Sequence, residues 1–201
     1  MNRRPLLLAL LAAPLLAGHA RAQASPRQTV EQFHAVLLDV MRNAERLGVR
    51  GRAQRIGPAM ERTFNLPAMT RIAVGPPWTQ LTEAQQQALI AAFSDWSIAT
   101  YADRFDGYGG ESFQTLGETP LANGDVLVRT QLNRPNDTPV QLNYLLRDFA
   151  GQWRVVDIYL TGTISELASR RAEFTALLRE GGAERLIADL RRRAQAALGG
   201  R

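Results

Sequence analysis

Between Ser112 and Leu160 apolar residues recur at every second position, and on both sides of that stretch they recur at every third or fourth. A period of two belongs to strands with one face against a core, and a period of 3.6 to amphipathic helices. A chain that runs helices, then strands, then helices does not fit a doubly wound parallel sheet, in which the two alternate. Four strands are predicted. Ser112–Leu116 is the first. In the second, Val126, Val128, Thr130 and Leu132 face one way. In the third, Val140, Leu142, Tyr144 and Leu146 do so, and Trp153–Leu160 is the fourth. Asn123-Gly124 and Ala150-Gly151 are turn signals, and strands joined by such short turns pair antiparallel. The expected fold class is α+β: a curved antiparallel sheet of about four strands, with helices packed on its concave face and room between the layers for an apolar pocket.

The helical segments carry their own start and stop signals. Ser25-Pro26 opens the first, and Val30, Phe33, Leu37, Val40 and Met41 follow at helical spacing up to Gly48. Ala53–Phe64 is a second, and Pro67–Val74, which includes Met69, a short third that Gly75-Pro76-Pro77 breaks. Thr82 with Gln85 forms a capping box for the longest helix, which runs to about Asp106. Leu89, Phe93, Trp96, Thr100 and Phe105 share one face of it, with Tyr101 beside them. Thr163 with Glu166 is a second capping box, and Gly181-Gly182 divides the helical segments after it.

The N-terminus bears on compartment. Arg3 and Arg4 precede an uncharged Leu- and Ala-rich run, Pro5–Ala17, and Ala20-Arg21-Ala22 fits a cleavage site before Gln23. That is the pattern of a secretory signal peptide, and the run is too short to span a bilayer as a helix. Residues 1–22 are expected to be removed, leaving residues 23–201 as a single domain in the periplasm. The leader takes Arg3, Arg4 and Arg21 and no acid with it, so the net charge falls from +5 to +2. Without a concentrated basic face, nucleic acid is not an expected partner. The chain has no cysteine, so neither disulfides nor thiolate metal sites contribute.

A search for chemistry yields little. His34 is the single histidine after residue 22. It has no second histidine or cysteine for zinc and no G-x-S-x-G elbow for a triad, so it reads as a surface or packing residue. Gly107-Tyr108-Gly109-Gly110 follows a helix instead of opening one, the wrong context for a phosphate cradle. Asp95, Asp103 and Asp106 read as a solvated helix edge, and Arg191-Arg192-Arg193 as a solvated face or a docking point for an anionic partner. Asp157, inside an apolar strand, has two readings: an outward residue paired with an arginine, or a polar group at the mouth of a pocket. No catalytic residue, metal or cofactor is assigned.

Several segments, in order, carry a family resemblance. Asp157-Ile158-Tyr159-Leu160-Thr161-Gly162-Thr163-Ile164-Ser165, followed by Arg170-Arg171 and Phe174, resembles the strand-to-helix signature of the MlaC family, periplasmic auxiliary components of lipid-transport ABC systems, also known as the toluene-tolerance family. Arg71-Ile72-Ala73-Val74-Gly75 with Trp78, Thr100-Tyr101 with Phe105 and Tyr108, Val140–Leu146 and Trp153 are similar to the family's pattern as well. The family often has Glu where this chain has Thr161. Residues 161–167 look closest to the branch associated with hopanoid biosynthesis, HpnM. The resemblance implies a pocket that holds the acyl chains of a phospholipid, or a hopanoid, and leaves the headgroup near solvent. It also implies docking to an inner-membrane ABC permease with a lipid-binding ring protein and to an outer-membrane lipoprotein complex. The helices are expected to supply Phe64, Met69, Phe93, Trp96, Tyr101 and Phe105 to the pocket wall, with Trp78 after the third helix. The strands are expected to supply Val126, Val128, Leu142, Tyr144, Leu146, Val156 and Ile158. At ~0.8 kcal/mol per methylene, exposing an acyl chain of ~16 carbons costs on the order of 13 kcal/mol, so a carrier needs such a wall and no catalytic constellation. Two rivals remain: a small enzyme on a cone-shaped α+β fold, using Asp157 with Tyr144 or Tyr101 on an apolar substrate, and an adaptor with a filled core.

Overall fold

The computed structural model describes residues 24–135, 137–161 and 163–199; the expected leader, residues 1–22, lies outside the described residues. These contain helices α1 (Pro26–Arg42), α2 (Ala44–Thr63), α3 (Leu66–Val74), α4 (Glu83–Arg104) and α5 (Glu166–Leu198), with a 3-10 turn at Pro76–Gln80. Strands β1 (Ser112–Pro120), β2 (Val126–Arg134), β3 (Asp137–Phe149), β4 (Gln152–Leu160) and β5 (Ile164–Ser165) form one antiparallel sheet in sequence order. The helices cover one face: α1 touches β1, β2 and β4, and α2, α3 and α5 also reach β4. The α+β class and the helix–meander–helix order are as the periodicity predicts.

Local chemistry explains the boundaries. Ser25 Oγ accepts the Gln28 N–H at 3.2 Å, and Gln28 Oε1 accepts the Ser25 N–H at 3.0 Å, which together cap α1. Thr82 and Gln85 do the same for α4. In the β1–β2 turn Gly124 has φ 85°, and in the β3–β4 turn Ala150 and Gly151 have φ 52° and 86°. That pair of positive values is the two-residue turn whose twist suits a hairpin.

The differences from expectation have physical causes. β1 runs to Pro120 instead of Leu116, because a bulge between Thr115 and Gly117 resets its register with β2 and lets pairing continue. The first helix ends at Asn43, whose side chain turns back onto Asp39. Gly48, φ 58°, is a second break inside α2. The capping box expected of Thr163 and Glu166 does not form. Ile164 and Ser165 pair with Leu160 and Tyr159 as a fifth strand, so Ser165 becomes the cap, accepting the Ala168 N–H at 3.0 Å. Gly182, φ 67°, breaks α5 where the paired glycines predict.

Two aromatic clusters fill the core. Phe33 and Phe64 meet edge to face at 4.9 Å, with Tyr101 and Tyr144 beside Phe64 at 6.2 and 6.4 Å. Phe93, Trp96 and Phe174 form the second, with centroids 5.9 to 6.4 Å apart. Such T-shaped contacts add to the burial of the rings. Arg52 and Asp125 are charged groups of the interior whose partners are complete. Arg52, buried, donates to Ala102 O at 2.7 Å and Ala44 O at 3.2 Å. Asp125, 2% exposed, receives both Nε and Nη2 of Arg147 at 2.8 and 2.7 Å, and that pair holds its carboxyl below the usual range.

Candidate lipid-binding cavity

A cavity of about 680 Å³ opens between α4, the start of α5 and the mouth-side ends of β2, β3 and β4. Its walls sort by depth. Met60, Phe64, Leu66, Met69, Phe93 and Leu167 line it and are buried. Arg104, Asp106, Gly107, Tyr108 and Gly109 line it and are exposed, which places the mouth at the end of α4. Glu111, Arg134, Glu166 and Arg170 are the other charged lining residues. A deep apolar wall under a charged rim suits an amphiphile whose tail is buried and whose head stays wet.

The rim is electrically mixed. Arg170 lies 3.7 Å from Glu166 and from Glu173, and its guanidinium sits over the Trp96 ring at 5.1 Å. Arg193 approaches the same ring at 5.9 Å and is ion-paired with Glu173 and Asp189. Arg192 pairs with Asp189 as well, so two of the three successive arginines serve α5 itself. Arg134 pairs with Asp137 at 2.8 Å. Arg104 has no ion pair among the described residues. Arg42 lies over the ring of Tyr108 at 5.1 Å, on the glycine-rich loop.

Of the residues expected in the pocket, Phe64, Met69, Phe93, Trp96, Tyr101, Phe105, Leu142 and Ile158 come together on this wall. Six stand elsewhere. Val128, Tyr144 and Leu146 are buried in the solid core. Val126, opposite Leu146, is partly buried against it. Trp78 sits in the 3-10 turn, its carbonyl accepting from Gln86 Nε2. Val156 falls in a bulge: Leu146 faces Val155 and Leu145 faces Asp157, so Val155 takes the core position. Alternation gives the face of a strand but not the distance along it, and the cavity lies toward Leu132, Val140, Leu142 and Leu160. Met41, Met60, Leu66 and Leu167 complete the wall from four helices. Leu132 and Val140 were within reach of the alternation already counted. The rim loop Gly107-Tyr108-Gly109 had only its glycines as a signal.

Beneath the cavity lies a neutral polar chain. His34 is 3% exposed, stacks on Phe113 at 3.9 Å and has Nε2 3.1 Å from the Tyr144 hydroxyl. Burial pushes the imidazole down to about 3. Tyr144 also bonds the hydroxyl of Tyr101, and burial raises both phenols above their usual value. At neutral pH all three are uncharged.

Asp157 fits neither of its readings. Its Oδ2 accepts from Ser165 Oγ at 2.6 Å, and its Oδ1 accepts the N–H groups of Ile158 at 2.8 Å and Leu167 at 3.4 Å. It ties β4 to the start of α5, where a carboxylate is favoured by the helix dipole. Neighbouring strand positions point to opposite faces, so Asp157 is turned away from Tyr144, which pairs with Ile158. Among the described residues no three His, Cys, Asp or Glu side chains cluster as a metal ion would need.

Comparison with known proteins agrees with this architecture. Among solved structures, the phospholipid-binding protein from Ralstonia solanacearum, determined in complex with a phospholipid, matches with a TM-score of 0.74 at 24% identity, covering 89% of this chain and 99% of the other. That likeness concerns the fold. The family model described as MlaC protein matches residues 18–192, most of the sequence. The chain belongs to the MlaC family.

Proposed function

We propose that this chain is a lipid-binding carrier, not an enzyme, and that it shuttles a phospholipid or a hopanoid-type lipid between membranes as the soluble component of an ABC lipid-transport system. The observation that carries the reading is the cavity: about 680 Å³, buried and apolar at depth, with its charged residues at the exposed rim. A tail seated against Phe64, Met69, Phe93, Leu142 and Ile158 leaves water without losing apolar contact. The head stays at Arg104, Arg134 and Arg170. Family membership and the phospholipid bound by the Ralstonia solanacearum protein support the same reading. In this account residues 1–22 direct export to the periplasm and are removed. The partners are an inner-membrane permease with its lipid-binding ring protein and an outer-membrane lipoprotein complex, and release requires a partner that favours the open or empty state.

The rival enzyme reading has less behind it, since Asp157 is engaged at the α5 start and Tyr101, Tyr144 and His34 are occupied with one another. A vesicle assay tests the carrier. Delipidated protein is added to donor vesicles containing a fluorescent phospholipid and to unlabelled acceptors. The expected result is uptake of label by the protein at about one lipid per chain. Protein that takes up neither phospholipid nor hopanoid contradicts the proposal.

A further inference from the structure

A second concavity lies at the opposite end of β4. A groove of about 590 Å³ is bounded by the first turns of α1, the end of α2 and the β3–β4 turn. Phe33, Val36 and Trp153 form its apolar wall, the last two only partly buried. Arg62 and Arg154 border it, and no carboxylate lines it. Arg62 is exposed and has no hydrogen bond or ion pair among the described residues. Arg154 donates only to neutral acceptors, Glu61 O at 2.9 Å and Gln152 Oε1 at 3.1 Å. The groove thus presents two uncompensated cations around a half-buried indole.

Its position matters as much as its charge. Gln152, Trp153 and Arg154 line this groove, and Ile158 and Leu160 on the same strand line the cavity. At ~3.3 Å per residue, residues 152 and 160 stand roughly 26 Å apart. An occupant of the groove leaves the cavity mouth clear.

We propose that this groove docks an acidic protein segment with an apolar anchor residue, holding the chain by the end away from its cavity mouth. The anchor rests on Trp153 and Val36, and its flanking carboxylates pair with Arg62 and Arg154. Arginine forks match carboxylates in two-point contacts, and tryptophan and arginine are the residues on which interface energy concentrates. Thr29, Gln32, Thr63 and Gln152 also line the groove. Thr29 already donates to Ser25 O and Gln152 Oε1 already accepts from Arg154; the amides of Gln32 and Gln152 and the Thr63 hydroxyl are the donors and acceptors that a peptide backbone would meet there. The proposal does not depend on what the cavity holds.

The test uses the full-length chain in its native cells, with the photo-cross-linker p-benzoylphenylalanine in place of Gln32. The expected result is an adduct whose cross-linked peptide, sequenced by mass spectrometry, carries more Asp and Glu than Lys and Arg. Arg62→Glu and Gln152→Glu, both at exposed positions, should each lower its yield by about tenfold, a change of ~1.4 kcal/mol in affinity. Their thermal unfolding and lipid content should match the parent, and the milder Arg62→Gln should lower the yield less. The proposal is overturned by the absence of an adduct, by an adduct with lipid, with a second copy of the chain or with a neutral or basic peptide, or by a yield that ignores charge reversal in folded variants.

Discussion

His34 stands in the core, with its ring against Phe113 and its Nε2 on the Tyr144 hydroxyl. Its pKa falls from 6.5 to about 3 because the charged form is desolvated. The unfolded chain therefore binds this proton first as pH drops. The contribution is fully present above pH 6.5 and is lost as pH falls toward 3, at up to ~1.4 kcal/mol per pH unit. His34→Gln, which keeps a hydrogen-bonding group for Tyr144, should flatten the stability profile between those limits; denaturant unfolding at a series of pH values measures it, and an unchanged slope would show that His34 does not titrate there. Residue identity also separates wall from core. Leu142 lines the cavity, and Val128, on β2 between β1 and β3, is 0% exposed among packed neighbours. Leu142→Trp should fold and exclude lipid, since the indole enters open space. Val128→Trp should destabilise by ~1–3 kcal/mol or more, as overpacking does. Lipid extraction and thermal unfolding on the same two samples distinguish the positions. Both residues face the helices as alternation predicts. What alternation lacked was depth along the strand, which depends on where α4 and α5 diverge.

At the scale of elements, the strongest local signals were legible and the tertiary ones were not. Ser25, Thr82 with Gln85, Asn123-Gly124 and Gly181-Gly182 act where they read, because each works through its own backbone neighbours. The bulges at Leu116 and Val156 arise from the pairing of distant strands; Gly117, φ 152°, is a local mark of the first, and the second carries none. The start of α5 shows the competition directly. Thr163 and Glu166 satisfy the capping pattern, but the sheet edge captures Ile164 and Ser165, and Asp157 reaches the new cap. Ser165→Ala removes both the cap and the Asp157 contact, and should cost ~1–2 kcal/mol. Thr163→Ala should change stability by less than ~0.5 kcal/mol. The melting temperatures of the two variants check the assignment; equal losses would restore the cap to Thr163.

For the whole molecule, a sheet with helices on one face creates a cavity only where the layers part, and here they part at the α4–α5 end. The closed end is filled by Phe33, Tyr144 and Leu146. That asymmetry gives the domain one wet end for a headgroup and an opposite end free for contact. The proposed leader enters at the same scale, since export would set which membranes the proposed carrier meets. Native mass spectrometry of protein recovered from cells without detergent examines both at once. The expected species is a polypeptide beginning at Gln23, or at Ser25 if Ala22-Gln23-Ala24 is the site used, with an added mass equal to one phospholipid or hopanoid that collisional activation releases. A full-length polypeptide retained in the inner membrane would contradict the export reading, and a bare polypeptide mass that no phospholipid or hopanoid restores would contradict the carrier itself.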